Sequence, residues 1–221
     1  MKNTLFRDME LRELKKTDAF FKLQSEQKKS IVGEGLSFDL DKFTDRNLSK
    51  LNLGCSTDIK FGWTNVDNTD DYRVIKHNLN KFPYPFKDKT FGLIYMSHVL
   101  EHLDNPLKVI NELHRILKDN GTLIIRVPHY SGNSAWIDIT HKRSYSYATL
   151  KQFDDVEYCK LYNAKQFSKV TVRFGFWLKW FYPLNYILEP LANLQPVYYE
   201  HSFANIFPPF EIITIMEKGY Y

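Results

Sequence analysis

The sequence predicts an α/β protein built on a mostly parallel sheet, and two stretches of its 221 residues carry that prediction. Residues 49–67, SKLNLGCSTDIKFGWTNVD, read as a buried strand, a tight glycine turn, a short loop and a second strand ending on Asp67. Leu51 and Leu53 alternate with polar neighbours and run straight into Gly54, Cys55 and Ser56, small residues that let backbone amides come close to a ligand. Further on, FGLIYMSH (91–98) is a nearly unbroken apolar run, the pattern of a parallel strand buried on both faces. A helical pattern and a second apolar strand, TLIIRVP (122–128), follow it. Strand, helix, strand at this spacing is a βαβ unit with a right-handed crossover.

The remaining elements fall around these two stretches. Residues 1–48 read as an N-terminal helical cap and linker: Leu5, Met9, Leu11, Leu14, Phe20 and Phe21 carry helical apolar spacing, and Gly33 and Gly35 end it. Such a segment either caps the sheet or works as a lid over a ligand. Residues 49–221 read as one domain. After Asp67, VIKHN is expected to be a strand that brings Asn78 to the same sheet edge, and Pro83 and Pro85 keep the next loop out of a helix. In the βαβ unit Pro106 suits a first helical turn, with Asp104 or Asn105 as cap. Leu107, Ile110, Leu113, Ile116 and Leu117 make its inner face, and Gly121 is its expected stop. A polar loop begins at His129 and leads to a short helix near 146–154. YCKLYNA and KVTVRFGF alternate as two edge strands would. Residues 174–186 hold seven aromatics in thirteen, opening an aromatic-rich, proline-interrupted insertion at about 174–209. FEIITIMEKG supplies the last strand.

Composition narrows the function. With 43% hydrophobic and 25% charged residues the chain is globular rather than disordered. Thirty basic against 26 acidic side chains leave +4, too mild a charge to indicate nucleic-acid binding. Two cysteines cannot make a disulfide framework, and no apolar run has signal or membrane-spanning length, which points to a cytoplasmic setting. Open α/β sheets bind nucleotide-like ligands at the C-terminal strand edge, where an acid such as Asp67 can accept both ribose hydroxyls. The G-x-G-x-x-G spacing of a dinucleotide site is absent.

With these residues in place the chain resembles the class I S-adenosylmethionine-dependent methyltransferases, over about residues 49–130. The resemblance is carried by the glycine turn and by a run from His98, Glu101, His102 and Leu103 through Glu112, Arg115, Leu117, Lys118 and Gly121 to Pro128. It implies a Rossmann-like seven-stranded sheet, mostly parallel, with helices on both faces and an antiparallel last strand. It implies S-adenosyl-L-methionine as cofactor, with Gly54, Cys55 and Ser56 around its methionine part and Asp67 on the ribose. Asn78 and Leu79 would lie by the adenine, and Ser97 and His98 would line the cofactor from the end of the fourth strand. Two positions depart from the family pattern: Ser56 stands where relatives usually have glycine, and Asn78 where they usually have aspartate. An asparagine oxygen can still accept from the adenine amino group.

The cofactor implied sets the remaining chemistry, because its sulfonium already activates the methyl group. The protein must align the acceptor and, for a hydroxyl, take up a proton, a task that suits histidine. The loop after the fifth strand carries His129, Asp138 and His141, within a D-x-T-H-x-R element at 138–143 also seen in uncharacterised relatives. His129 and His141 are expected on the acceptor side, with Asp138 orienting one of them or capping a turn. A small-molecule or saccharide acceptor and O-methylation follow as the expected function. A nucleic-acid or protein methyltransferase, or a non-catalytic subunit with this fold, are the alternatives. Against the first stand the small charge and the lack of an Asn-Pro-Pro-aromatic element after the fourth strand, where SHVLEHL stands instead. His98 and His102 are one helical turn apart, as metal pairs are, yet the sequence fixes no third ligand and has no HExxH, so it assigns no metal. Lys142 and Arg143 are either solvated or placed for a phosphate. The aromatic segment suits a core, a homodimer interface, sugar stacking or peripheral contact with a membrane surface.

Overall fold

The computed structural model describes residues 39–44, 48–176 and 182–220. The helical cap expected over 1–48 therefore lies almost wholly outside the described residues. What is described of it is a short 3-10 turn at Leu40–Phe43, capped by the Asp39 side chain, and residues 39, 44 and 48.

The sheet has seven strands: β1 (Lys50–Leu53), β2 (Thr64–Asp67), β3 (Ile75–Lys76), β4 (Phe91–Ser97), β5 (Leu117–Pro128), β6 (Lys169–Gly175) and β7 (Glu211–Glu217). Their order across the sheet is β3-β2-β1-β4-β5-β7-β6. β1 to β5 pair in parallel, and β7 runs antiparallel to both of its neighbours. That antiparallel last strand is FEIITIMEKG, which alternates as expected. The order reverses between β1 and β4, so the C-terminal ends of these two strands open onto one crevice, the place where such sheets bind ligands.

Residues of β4 alternate between two apolar clusters. Ile94 and Met96 join a large cluster with Val109, Ile110, Leu113 and Ile116 of α1 (Pro106–Ile116). Leu93 and Tyr95 face the other way, toward Leu40, Ile124 and Ile213. Both faces are buried, which is why the β4 sequence reads as an unbroken apolar run. α1 starts where Pro106 predicts: the Asn105 side chain caps it by accepting from the Lys108 amide at 2.9 Å. The Glu112 and Arg115 pair of the sequence signature has a structural task. Glu112 accepts from the Tyr84 amide and Arg115 donates to the Phe86 carbonyl, so together they clamp the proline-rich loop onto α1.

Four local expectations differ from the structure. YCKLYNA is not a strand but α3 (Val156–Tyr162), after the short α2 (Tyr147–Lys151). Asp155 accepts from the Tyr158 amide at its start and Asn163 ends it in the left-handed region, and these two caps outweigh the alternation. VIKHN contributes only two residues to the sheet, Ile75 and Lys76. The proline-interrupted stretch folds as α4 (Tyr182–Leu194), which runs through Pro190, and α5 (Pro196–Ser202), which begins on its proline. α1 stops at Ile116, with Leu117 already paired to Phe91, and the chain turns at Asn120 (φ 56°) and Gly121 inside β5.

Two groups set the energetics of the sheet. Arg126 of β5 and Glu211 of β7 form a buried two-point pair at 2.9 and 2.6 Å, and Arg126 also donates to the Tyr95 hydroxyl. Burial raises the Glu211 carboxyl, but Arg126 and His98 outweigh it and hold it at about 2. Arg126→Met should strand that carboxylate and cost about 3–5 kcal/mol in urea unfolding, with part regained in Arg126→Met/Glu211→Gln.

His114, on α1 against Phe167, is the second group: burial and the nearby Lys218 ammonium hold its imidazole down at about 4. An unfolded chain takes up that proton near pH 6.5, whereas the native one refuses it until about pH 4. The stability it contributes is therefore complete above pH 6.5 and is lost as pH falls toward 4, by at most about 2 kcal/mol once its partial exposure is discounted. Urea stability measured across that window should fall less steeply in His114→Gln than in the wild type.

Candidate active site

The crevice is built at the ends of β1, β2 and β4. Gly54 leaves β1 with φ +64°, and a Cβ there would meet Val99 Cγ2 at 2.2 Å, so only glycine lets Val99 pack against the turn. The Gly54 and Cys55 amides both donate to the Val66 carbonyl, at 2.8 and 3.2 Å. The Ser56 amide donates to Asp67 Oδ2 at 2.7 Å. Turn and acid thus stand side by side. Ser56 keeps the left-handed conformation (φ 42°) that glycine has in relatives, and its hydrogen bond to Asp67 offsets a strain of about 1 kcal/mol. Cys55 is buried, and burial, with Asp67 next, pushes its thiol up to about 11, a packing cysteine rather than a nucleophile. Behind the turn, Asn52 donates to Asn65 and to the Asp58 carbonyl, which fixes the loop between β1 and β2.

Asp67 holds the next segment too, since its carbonyl accepts from the His77 amide at 2.8 Å. Asn78 follows at the same edge, its Oδ1 accepting from the Asn80 amide at 2.9 Å, which leaves the second lone pair and the amide group for a ligand. Leu79 is buried, with its carbonyl on the Tyr84 hydroxyl. The residues present fit an adenosyl group: a glycine turn with no room for a side chain, a carboxylate tied down by one oxygen, and an amide-bearing wall beyond it.

Across the crevice, Ser97 ends β4 and His98 follows in the left-handed region (φ 53°). The His98 ring lies between two buried carboxylates, with Nδ1 3.5 Å from Glu101 and Nε2 3.3 Å from Glu211. Burial lowers its pKa, but Glu101 and Glu211 outweigh that and hold it at about 9.

The loop after β5 folds back over this rim. Its Lys142 amide donates to the Glu101 carbonyl at 2.9 Å, and the Tyr145 hydroxyl donates to the Leu100 carbonyl. Lys142 pairs with Asp104, and Arg143 donates to the Leu103 and Asp104 carbonyls, so both fasten the loop. A cleft of 410 Å³ opens beside it, lined by Trp136, Asp138, Ile139 and His141 among others.

His141 and Asp138 are brought to the rim, whereas His129 is set apart from it. His129 has no exposed surface; its Nδ1 accepts from the Ser131 amide, so its ring proton sits on Nε2 facing Glu200 at 3.0 Å. With both nitrogens engaged it ties the loop to α5. Asp138 accepts from the Thr140 hydroxyl and amide, and Thr140 in turn meets His102 Nδ1, so the histidine it orients is His102. Glu101 is the group that sequence reasoning passed over. It lies in the same run as His98 and His102, and that adjacency was the available signal. Of the aromatic segment, Phe174 and Phe176 are buried, Tyr186 is exposed, and residues 177–181 lie outside the described residues. Among the described residues no helix is long and apolar enough to cross a membrane.

A parallel sheet with a reversed last strand, a glycine turn and an acid on the neighbouring strand together define a class I S-adenosylmethionine-dependent methyltransferase. The chain belongs to the methyltransferase domain family whose model matches residues 23–178. It is 34% identical over 110 residues to an uncharacterized protein of Methanocaldococcus jannaschii, covering 44% of this chain and 48% of that one. A second uncharacterized protein of that archaeon is 27% identical over 110 residues, with 50% and 53% covered. The chain thus spans about half the length of the curated relatives it matches. In fold it is similar to an S-adenosylmethionine-dependent methyltransferase from Archaeoglobus fulgidus, with a TM-score of 0.56 at 16% identity over 90% of this chain and 94% of that one. It is also similar to a possible histamine N-methyltransferase from Thermotoga maritima, with a TM-score of 0.51 at 16% identity over 90% and 96%.

Gly54→Ala tests the turn. The added methyl must displace Val99 and sits at an unfavourable φ, so stability should fall by about 1–3 kcal/mol and adenosylhomocysteine affinity, by calorimetry, at least about tenfold.

Proposed function

We propose that the protein transfers the methyl group of S-adenosylmethionine to a hydroxyl of a small-molecule or saccharide acceptor. When bound, the cofactor supplies a methyl on a positive sulfur, so that the acceptor oxygen forms the new C–O bond as the C–S bond breaks and the neutral thioether leaves. Asp67 and Asn78 hold the nucleoside, and the Gly54 turn seats the amino-acid end. The chain's own contribution to the reaction lies on the opposite rim.

The observation that carries this reading is the arrangement of His102 and His141. Each ring spends its Nδ1 proton on an outer acceptor, the Thr140 hydroxyl and the Ala135 carbonyl respectively, and so keeps an Nε2 lone pair. A hydroxyl acceptor must lose a proton, and these two lone pairs are what the rim offers for that task. Trp136 and Ile139, both exposed beside the cleft, suit the apolar face of a sugar ring. Lys142 and Arg143 are spent on loop contacts, which argues against a phosphate-rich acceptor such as RNA.

The experiment is incubation with methyl-labelled cofactor and a panel of hydroxyl-bearing acceptors, with RNA and protein in parallel. Label should pass to a hydroxyl compound, and Asp67→Ala should weaken adenosylhomocysteine binding by about 10–100-fold. Transfer confined to RNA or protein, or calorimetry showing no cofactor binding by the wild type, would overturn the reading.

A further inference from the structure

We propose that Glu101, His102 and His141 form a binding site for one divalent transition-metal cation. Its use in the reaction rests on the reading of this rim as the acceptor side; its existence does not.

Glu101 is the starting point. The residue has no exposed surface, and neither carboxylate oxygen accepts a hydrogen bond. Its nearest cationic partners stand off at 3.5 Å (His98 Nδ1) and 3.9 Å (His141 Nε2). A buried carboxylate held this loosely costs several kcal/mol unless a positive charge completes its surroundings.

The two imidazoles are prepared for such a charge. The Ala135 carbonyl at 3.0 Å can only accept, so His141 carries its proton on Nδ1. Thr140 gives its hydroxyl proton to Asp138 at 2.7 Å and therefore accepts from His102 Nδ1 at 2.9 Å. Both tautomers are thus set by outer partners, one of them backed by a carboxylate, as is usual for metal-bound histidines. The rings meet edge to face with centroids 4.7 Å apart. One ligand atom from each of the three residues lies within 4.8 Å of the other two. Metal–ligand bonds of about 2.0–2.2 Å place such atoms about 3–3.5 Å apart, so modest side-chain closure completes the site.

Two imidazoles and one carboxylate favour zinc, cobalt or manganese over magnesium or calcium, and three protein ligands leave positions open. Those positions face the loop cleft that His141 lines. A cation there holds an acceptor by its oxygen and makes the hydroxyl proton easier to lose to solvent. The pairing is thus more specific than the bare His98 and His102 spacing: the carboxylate between them and a histidine forty residues later in the chain complete the set.

Cobalt(II) titration of the demetallated protein, read by visible ligand-field absorption and by metal analysis after gel filtration, tests the proposal. One equivalent should bind and be displaced by zinc. His141→Ala and Glu101→Gln should abolish that equivalent. Thr140→Val, an exposed change that removes only the outer contact, should weaken it by about 10–100-fold. His201→Ala, on the exposed end of α5, should leave it unchanged. Equal cobalt uptake by folded wild type and His141→Ala, or loss of uptake in His201→Ala, would overturn the metal site. Adenosylhomocysteine calorimetry on the same samples reports on the cofactor site independently. Retained cofactor binding with no cobalt site sinks this inference alone, and the converse sinks only the cofactor reading.

Discussion

The close approach of Val99 to Gly54 is the contact on which the crevice depends. Val99 occupies the space that any side chain at position 54 would need, so the end of β1 and the turn after β4 lie against each other. One consequence is that the Gly54, Cys55 and Ser56 amides are tied to β2 and Asp67. The other is that His98, Glu101 and His102 sit directly across from them. Cofactor wall and acceptor rim are two sides of one packing contact.

Beneath the rim runs a line of alternating charges. Arg126 holds Glu211, Glu211 meets His98, His98 meets Glu101, and Glu101 looks toward His141. The line gets looser along its length, from 2.6 Å at the arginine to 3.9 Å at the last histidine. Near β7 the charges are matched by a bidentate pair and stabilise the sheet. Toward the loop they are under-compensated, which is where a functional site is expected to store its polarity. His98 and Ser56, both in the left-handed region, face each other across the crevice as further strain held by the fold.

Sequence reasoning reached the cofactor side well because that side is local. Gly54 and Asp67 are thirteen residues apart on adjacent parallel strands, so strand, turn, strand and acid can be read straight off the chain. The βαβ unit is legible for the same reason, since α1 carries its own cap and apolar face. The acceptor side is not local. His129 and His141 look equivalent on one polar loop, but the loop's bridge to Tyr145 buries one against Glu200 and delivers the other to Glu101. α3 was misread because its alternation is real while its caps, Asp155 and Asn163, are single residues.

The sequence by itself determined the sheet, its central strands, the family and the glycine and aspartate that define the nucleoside wall. These depend on periodicity and on backbone conformations available to few residue types. Only the tertiary structure decided which histidine is structural, which one Asp138 orients, and that Glu101 is buried without a hydrogen bond. Burial and the direction of a ring nitrogen are set by neighbours far along the chain, and no spacing rule encodes them.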